Sequence, residues 1–174
     1  LDVNGEITFA TDSAAHVIKV VNGTLQLHKS IIAPAINQIA LTVDSAGVLK
    51  TGNNSIGASS VLINGTVEGG GTYANTFSLT SDDAILKLKV FGFEEGNYEY
   101  VDALGDISIK KGTIDIAVSG LLVGSKQITI LKAGGNYDIL DKMEFVKVLV
   151  NGQDITGNTA ETEVPDGGGI FYFD

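Results

Sequence analysis

The stretch VVNGTLQL, Val20 to Leu27, decides how this chain is read. Asn and Gly both tolerate positive φ, so Asn22-Gly23 between apolar runs is the strongest short signal for a two-residue hairpin. A fold-back there sets Val20 opposite Leu25 and Ile18 opposite Leu27 on one face. Val17, Lys19 and Val21 then oppose His28, Gln26 and Thr24 on the other. The phrase recurs as LINGTVEG (Leu62 to Gly69), DVNGEITF (Asp2 to Phe9) and LVNGQDIT (Leu149 to Thr156).

The recurrence supports a second reading. Turn markers at Asn4, Asn22, Asp44 and Asn64, continued more weakly at Asp83, Asp106 and Gly124, are spaced at intervals of about 20 residues. Such intervals suit one coil of a β-solenoid whose coils stack their apolar faces. Short strands separated by regular turns also suit a β-sandwich. Spacing alone leaves both open.

Whatever the turns do, the segments between them are strands. AILKLKVF (Ala84 to Phe91) points Ala84, Leu86, Leu88 and Val90 one way, and Lys87 and Lys89 the other. DISIKKGTIDIAV (Asp106 to Val118), NTFSLT, KQITIL and EFVKVLV alternate likewise, and no amphipathic helix of three turns is found. PDGGG (Pro165 to Gly169) reads as a turn before the terminal IFYFD. The expected fold class is all-β.

Composition sets limits on function. The 174 residues suffice for one domain with a core, and 44% hydrophobic against 18% charged residues describes a folded chain. Net charge is -10 and all 11 basic residues are lysine, which argues against nucleic acid or anionic lipid as a partner. With no cysteine there is no disulfide and no thiolate chemistry. The most apolar run, Ile31 to Leu41, is interrupted by Pro34, Asn37 and Gln38 and is too short to span a bilayer. The chain opens at Leu1, as expected of an excised or processed product.

A search for chemistry yields little. In the hairpin register His16 and His28 lie on opposite faces, and no HExxH, EF-hand loop or calcium-repeat array is present, so no metal is expected. GxSxG, P-loop and dinucleotide motifs are missing as well. Paired acids are the best enzymatic prospect, with Asp82-Asp83, Glu94-Glu95, Asp102, Asp106 and Asp115 as candidates. Acids beside turns are ordinarily solvated caps, however, and no set of groups converges. We therefore expect no enzyme and no cofactor, and assign no catalytic, binding or metal-ligating residue. A carbohydrate-binding or carbohydrate-cleaving β domain would need an aromatic platform, for which Tyr73, Phe91, Phe93, Tyr98, Tyr100 and Tyr137 are the candidates.

Between Ala84 and Gly135, the pieces LGDISI, KGTIDIAV and GSKQITILKAGG form a strand, an Asp-containing turn into a strand, a Gly-Thr step, and a closing Leu-x-Ala-x-Gly-like segment. This order resembles the autochaperone-like end of an autotransporter (type V secretion) passenger domain. The upstream VNGTLQL, VDSAGVL and INGTVEG resemble the coils that precede it. Lysine without arginine, with abundant Ile and Asn, is similar to rickettsial-type surface antigens of that class.

The resemblance implies a right-handed parallel β-helix with a C-terminal cap, the alternative being an antiparallel β-sandwich. It divides one all-β domain, 1-174, into coil-like repeats (1-83), an autochaperone-like segment (84-135) and C-terminal strands (136-174). It implies display on the Gram-negative cell surface, exported through the outer membrane by a parent β-barrel absent from this stretch. It also implies adhesion to a host or neighbouring cell's protein or glycan, with the C-terminal part templating passenger folding and no membrane insertion by the fragment. A subunit of a surface fibre or layer is the remaining alternative.

Overall fold

Branched aliphatics at alternate positions make His16–Leu27 and Ile39–Lys50 into two 12-residue strands, and the rest of the fold is laid against them. The computed structural model describes residues 1–3, 5, 7–8, 15–33, 39–119, 127–138, 146–156, 162–164 and 169–171, with backbone alone for 3, 8, 162–164 and 169–171. The strands begin with β1 (Asp2–Val3), β2 (Ile7–Thr8), β3 (His16–Leu27), β4 (Ile31–Ile32), β5 (Ile39–Lys50), β6 (Ser60–Ile63) and β7 (Thr66–Glu68). They continue with β8 (Gly71–Tyr73), β9 (Thr76–Leu79), β10 (Ile85–Val90), β11 (Val101–Ala103), β12 (Ile107–Ile109) and β13 (Gly112–Val118). The last are β14 (Leu131–Ala133), β15 (Tyr137–Asp138), β16 (Val146–Val150), β17 (Gln153–Asp154), β18 (Thr162–Val164) and β19 (Gly169–Phe171). No helix occurs among the described residues.

The architecture is an all-β, curled and mostly parallel sheet. β5 carries two lanes. Its first half is followed by β6, β9, β12 and β15, and its second half by β7, β10, β13 and β16. A third lane, β8, β11 and β14, runs alongside and is linked through bridges at Ile56 to Ile31 of β4. Equivalent aliphatics therefore stack in columns. Leu25, Leu49, Val67, Leu86, Ile114 and Val148 form one, and Val20, Val43, Ile63, Leu79 and Ile109 another. All of these side chains are buried. Each contributes about 1.5–3 kcal/mol by leaving water, so the columns are the core.

The hairpin expected at Asn22-Gly23 does not form. β3 runs through it and pairs in parallel with β5, with a register irregularity between Val20 and Asn22. Gly23 has φ 83° while Asn22 is not in the positive-φ region, so the type I′ turn is not made. The inward placement of Val20, Leu25 and Leu27 is as read from the sequence. Val20 and Leu25 find their partners instead in the next long strand, since β5 presents apolar residues in step with β3 from Ile39 to Lys50.

Asn64-Gly65 forms a corner between β6 and β7. The Asn64 and Gly65 amides both donate to the Val43 carbonyl, at 2.8 and 3.1 Å. A Cβ at position 65 would overlap the carbonyl oxygens of Asp44 and Gly47 beneath it. Among the described pairs, only Asn151-Gly152 behaves as first read. With φ 47° and 79°, it turns β16 back on β17 in an antiparallel pair.

The antiparallel sandwich is likewise corrected. Among the described strands only β16–β17 and β18–β19 are antiparallel. The physical reason lies at the corners, where the glycines at 47 and 65 let one pass of backbone sit directly on the one before. The next strand then arrives beside its predecessor running the same way.

Of the segments read as strands, AILKLKVF, NTFSLT, DISIKKGTIDIAV and EFVKVLV supply β10, β9, β12 with β13, and β16. KQITIL contributes only Leu131, the start of β14. The markers Asn4 and Gly124 and the turn read at 165–168 lie outside the described residues.

Candidate binding groove

Outward positions stack as regularly as inward ones. On the second lane Gln26, Lys50, Glu68, Lys87 and Asp115 are successive neighbours across β3, β5, β7, β10 and β13. Adjacent strands lie about 4.8 Å apart, so beyond Gln26 this row alternates charge at nearly atomic intervals. Lys50 Nζ lies 3.0 Å from Glu68 Oε2.

Beyond Glu68 the edge of β10 is open, because β7 ends there, and the chain covers it with its own arm. After β10, residues 91–97 turn back so that Val90 bridges Tyr98 in antiparallel fashion. Phe91 N donates to Asn97 O at 2.7 Å and Glu99 N to Lys89 O at 2.8 Å. Glu99 Oε2 accepts from Lys89 N at 2.8 Å. Between this arm and the charged row lies an open groove of about 410 Å³, lined by Gln26, Lys50, Glu68, Lys87, Glu99 and Asp115 among others. Partial burial pushes the Glu99 carboxyl above the usual carboxylate range; the Lys89 amide and charge oppose this, and Glu68 adds to it. The groove can hold a polar ligand by hydrogen bonds of both signs.

The structure disperses the acids singled out in the sequence. Asp82 pairs with Lys111 at 3.2 Å, and Asp102 with Lys132 at 2.9 Å. Asp106 accepts from Asn136 N at 2.7 Å. Asp83 is exposed at a turn, and Glu94 and Glu95 are exposed on the arm. Only Asp115 reaches the groove. His28 binds Asp2 at 2.5 Å, whereas His16 sits beside Ile39, so the histidines do not meet. Among the described residues no group of three or more ligating side chains could hold a metal ion.

The aromatic platform needs correction at Tyr73. That ring is wholly buried, 4.8 Å from Phe77, because it points inward between Ile56 and Ala103 of the third lane. Its hydroxyl has no partner among the described residues, and burial holds the phenol well above its ordinary range. Tyr98 and Tyr100 are half-buried, with centroids 5.8 Å apart and planes tilted by 47°. Tyr137 is half-exposed, but its hydroxyl accepts from Ala133 N at 2.7 Å and so blocks the edge of β14. Phe91 is exposed and Phe93 half-buried. These rings do not make one flat surface.

Sequence reasoning passed over Gln26, Lys50, Glu68 and Glu99. Alternation in AILKLKVF did place Lys87 and Lys89 outward, yet nothing local announces which distant residues share their row.

Comparison with protein-family models, with curated proteins and with solved structures gives no match to this chain.

Proposed function

We propose that this chain is a surface-displayed scaffold of the autotransporter-passenger kind, a right-handed parallel β-helix serving display and adhesion. Its C-terminal part acts as the template on which preceding coils fold. The observation that carries this reading is the difference between the outer edges of the first and last long strands of the stack. On β16, Thr156 Oγ1 accepts from Val148 N at 2.8 Å and Ile155 N donates to Val148 O at 2.9 Å. β17 also covers Leu149 and Val150. On β3, by contrast, the outer-edge contacts among the described residues are those of β1 with Gln26 and Leu27 and of the Leu1 terminus, which donates to Thr24 O at 2.6 Å. A blocked edge at one side and, among the described residues, a less covered strand at the other suit directional growth, since an open parallel edge is where another strand adds.

Native-state hydrogen exchange on the full chain tests the template role. The expected result is slowest exchange in β13 and β16, with protection falling toward β3. Slowest exchange in β3 and β5 would overturn it.

A second reading, carbohydrate binding, is favoured by the groove, whose alternating lysines and carboxylates can meet sugar hydroxyls as donors and acceptors. Screening against a glycan array, with Lys87→Ala as control, tests it. Binding that survives the substitution would place the ligand elsewhere.

A further inference from the structure

Among the described residues the Asn-Gly pair meets three different environments, and they differ in a way that bears on its chemistry. In an Asn-Gly pair the glycine amide can attack the asparagine side chain with no Cβ in the way. At Asn64-Gly65 both reacting groups are held. Asn64 Oδ1 accepts from Thr80 Oγ1 at 3.0 Å, and the Gly65 amide is committed to Val43 O at 3.1 Å. At Asn151 the carboxamide is clamped on Val118, accepting at 2.7 Å and donating at 3.1 Å.

At Asn22-Gly23 the asparagine side chain lacks such a restraint, although Gly23 is paired with Gly47 in the β3–β5 ladder. Both residues are exposed, and no hydrogen bond to a described residue holds the Asn22 amide. No atom lies within 4 Å of the place a Gly23 Cβ would occupy. The pair sits at the register irregularity of β3, with a strand neighbour among the described residues on the β5 side only. Local opening is therefore cheapest here.

We propose that Asn22 is a self-modifying site, at which the folded protein deamidates selectively through a succinimide. Gly23 N bonds to Asn22 Cγ, the Cγ–Nδ2 bond breaks, and the glycine amide proton leaves with the departing nitrogen as ammonia. Water then opens either imide carbonyl, leaving an aspartyl or an isoaspartyl linkage at position 22. The isoaspartyl product adds one backbone atom between residues 22 and 23. Leu25, buried at 6% exposure and paired with Leu49, could then no longer keep its inward register on β5. The reaction therefore loosens β3 irreversibly and marks the age of the molecule.

The test is peptide mapping by mass spectrometry of the full chain, aged in mildly alkaline buffer with and without denaturant. In the folded protein, position 22 should gain the acid-for-amide mass at least about tenfold faster than positions 64 and 151, equivalent to about 1.4 kcal/mol of easier opening. In denaturant the three should convert at similar rates. Equal rates in the folded protein, or slower conversion at 22, would overturn the proposal. Aged protein should also show faster hydrogen exchange over residues 16–27, and an aged Asn22→Gln variant should not. Unchanged exchange after conversion would sink the loosening of β3.

Discussion

Asn151 grips Val118 by both halves of its side-chain amide, replacing there the strand neighbour that β13 would otherwise need. Its own amide donates to Ile116 O at 2.9 Å. Asn151→Ala removes both side-chain bonds and leaves a residue at φ 47° with no local support. We expect a loss of about 1–3 kcal/mol by chemical denaturation, with exchange at the Val118 amide rising most. An unchanged midpoint would mean that the grip contributes nothing.

Two glycines, one at a corner and one within a strand, should respond differently to alanine. Gly65→Ala drives a methyl into the Asp44 and Gly47 carbonyls and should cost about 3 kcal/mol. Gly23→Ala meets no atom and bears only the strain of φ 83°, about 1–2 kcal/mol. Thermal melts of the two variants, side by side, check the order.

Tyr73→Phe deletes a buried hydroxyl that has no partner among the described residues, and should stabilise the fold by about 1 kcal/mol. The pH dependence has a definite sign. Burial raises the phenol's pKa above its ordinary value of about 10, so above that pH the unfolded chain releases a proton that the folded chain keeps. The contribution is full below the unfolded value and is lost as pH rises toward the folded one. Stability should fall on the alkaline side in the parent and fall less in Tyr73→Phe. Parallel alkaline profiles would contradict this.

The sequence made the inward columns legible because alternation is local: AILKLKVF states which of its residues face the core. Which strand lies beside which was not legible. Val20 and Leu25 fit a hairpin and a parallel ladder equally well, and β5, the next long strand, decides between them. The groove was hidden for the same reason, since Lys50, Glu68, Lys87 and Asp115 become neighbours only through that register. Tyr73 offered no local sign of its inward direction either.

The charged row should be sensitive to sign. Lys87 is flanked in register by Glu68 and Asp115. Lys87→Glu places three carboxylates on successive strands and should destabilise by about 1–2 kcal/mol at low salt. Added salt should recover much of that loss, because the side chains are at least partly in water. Denaturation midpoints across an ionic-strength series read this directly.

The lanes also keep step although the chain between them does not. Thr66 lies beside Ile85, and Ile85 beside Thr113, across connections of very different length. The arm at 91–97 belongs to the longer connection and leaves the pairing of β10 with β13 intact. Cross-section and contour length are thus uncoupled in this fold. New sequence spliced near Glu95-Gly96 would lengthen a spur on the outside and leave the rungs untouched, which makes that tip a natural place to carry a foreign epitope.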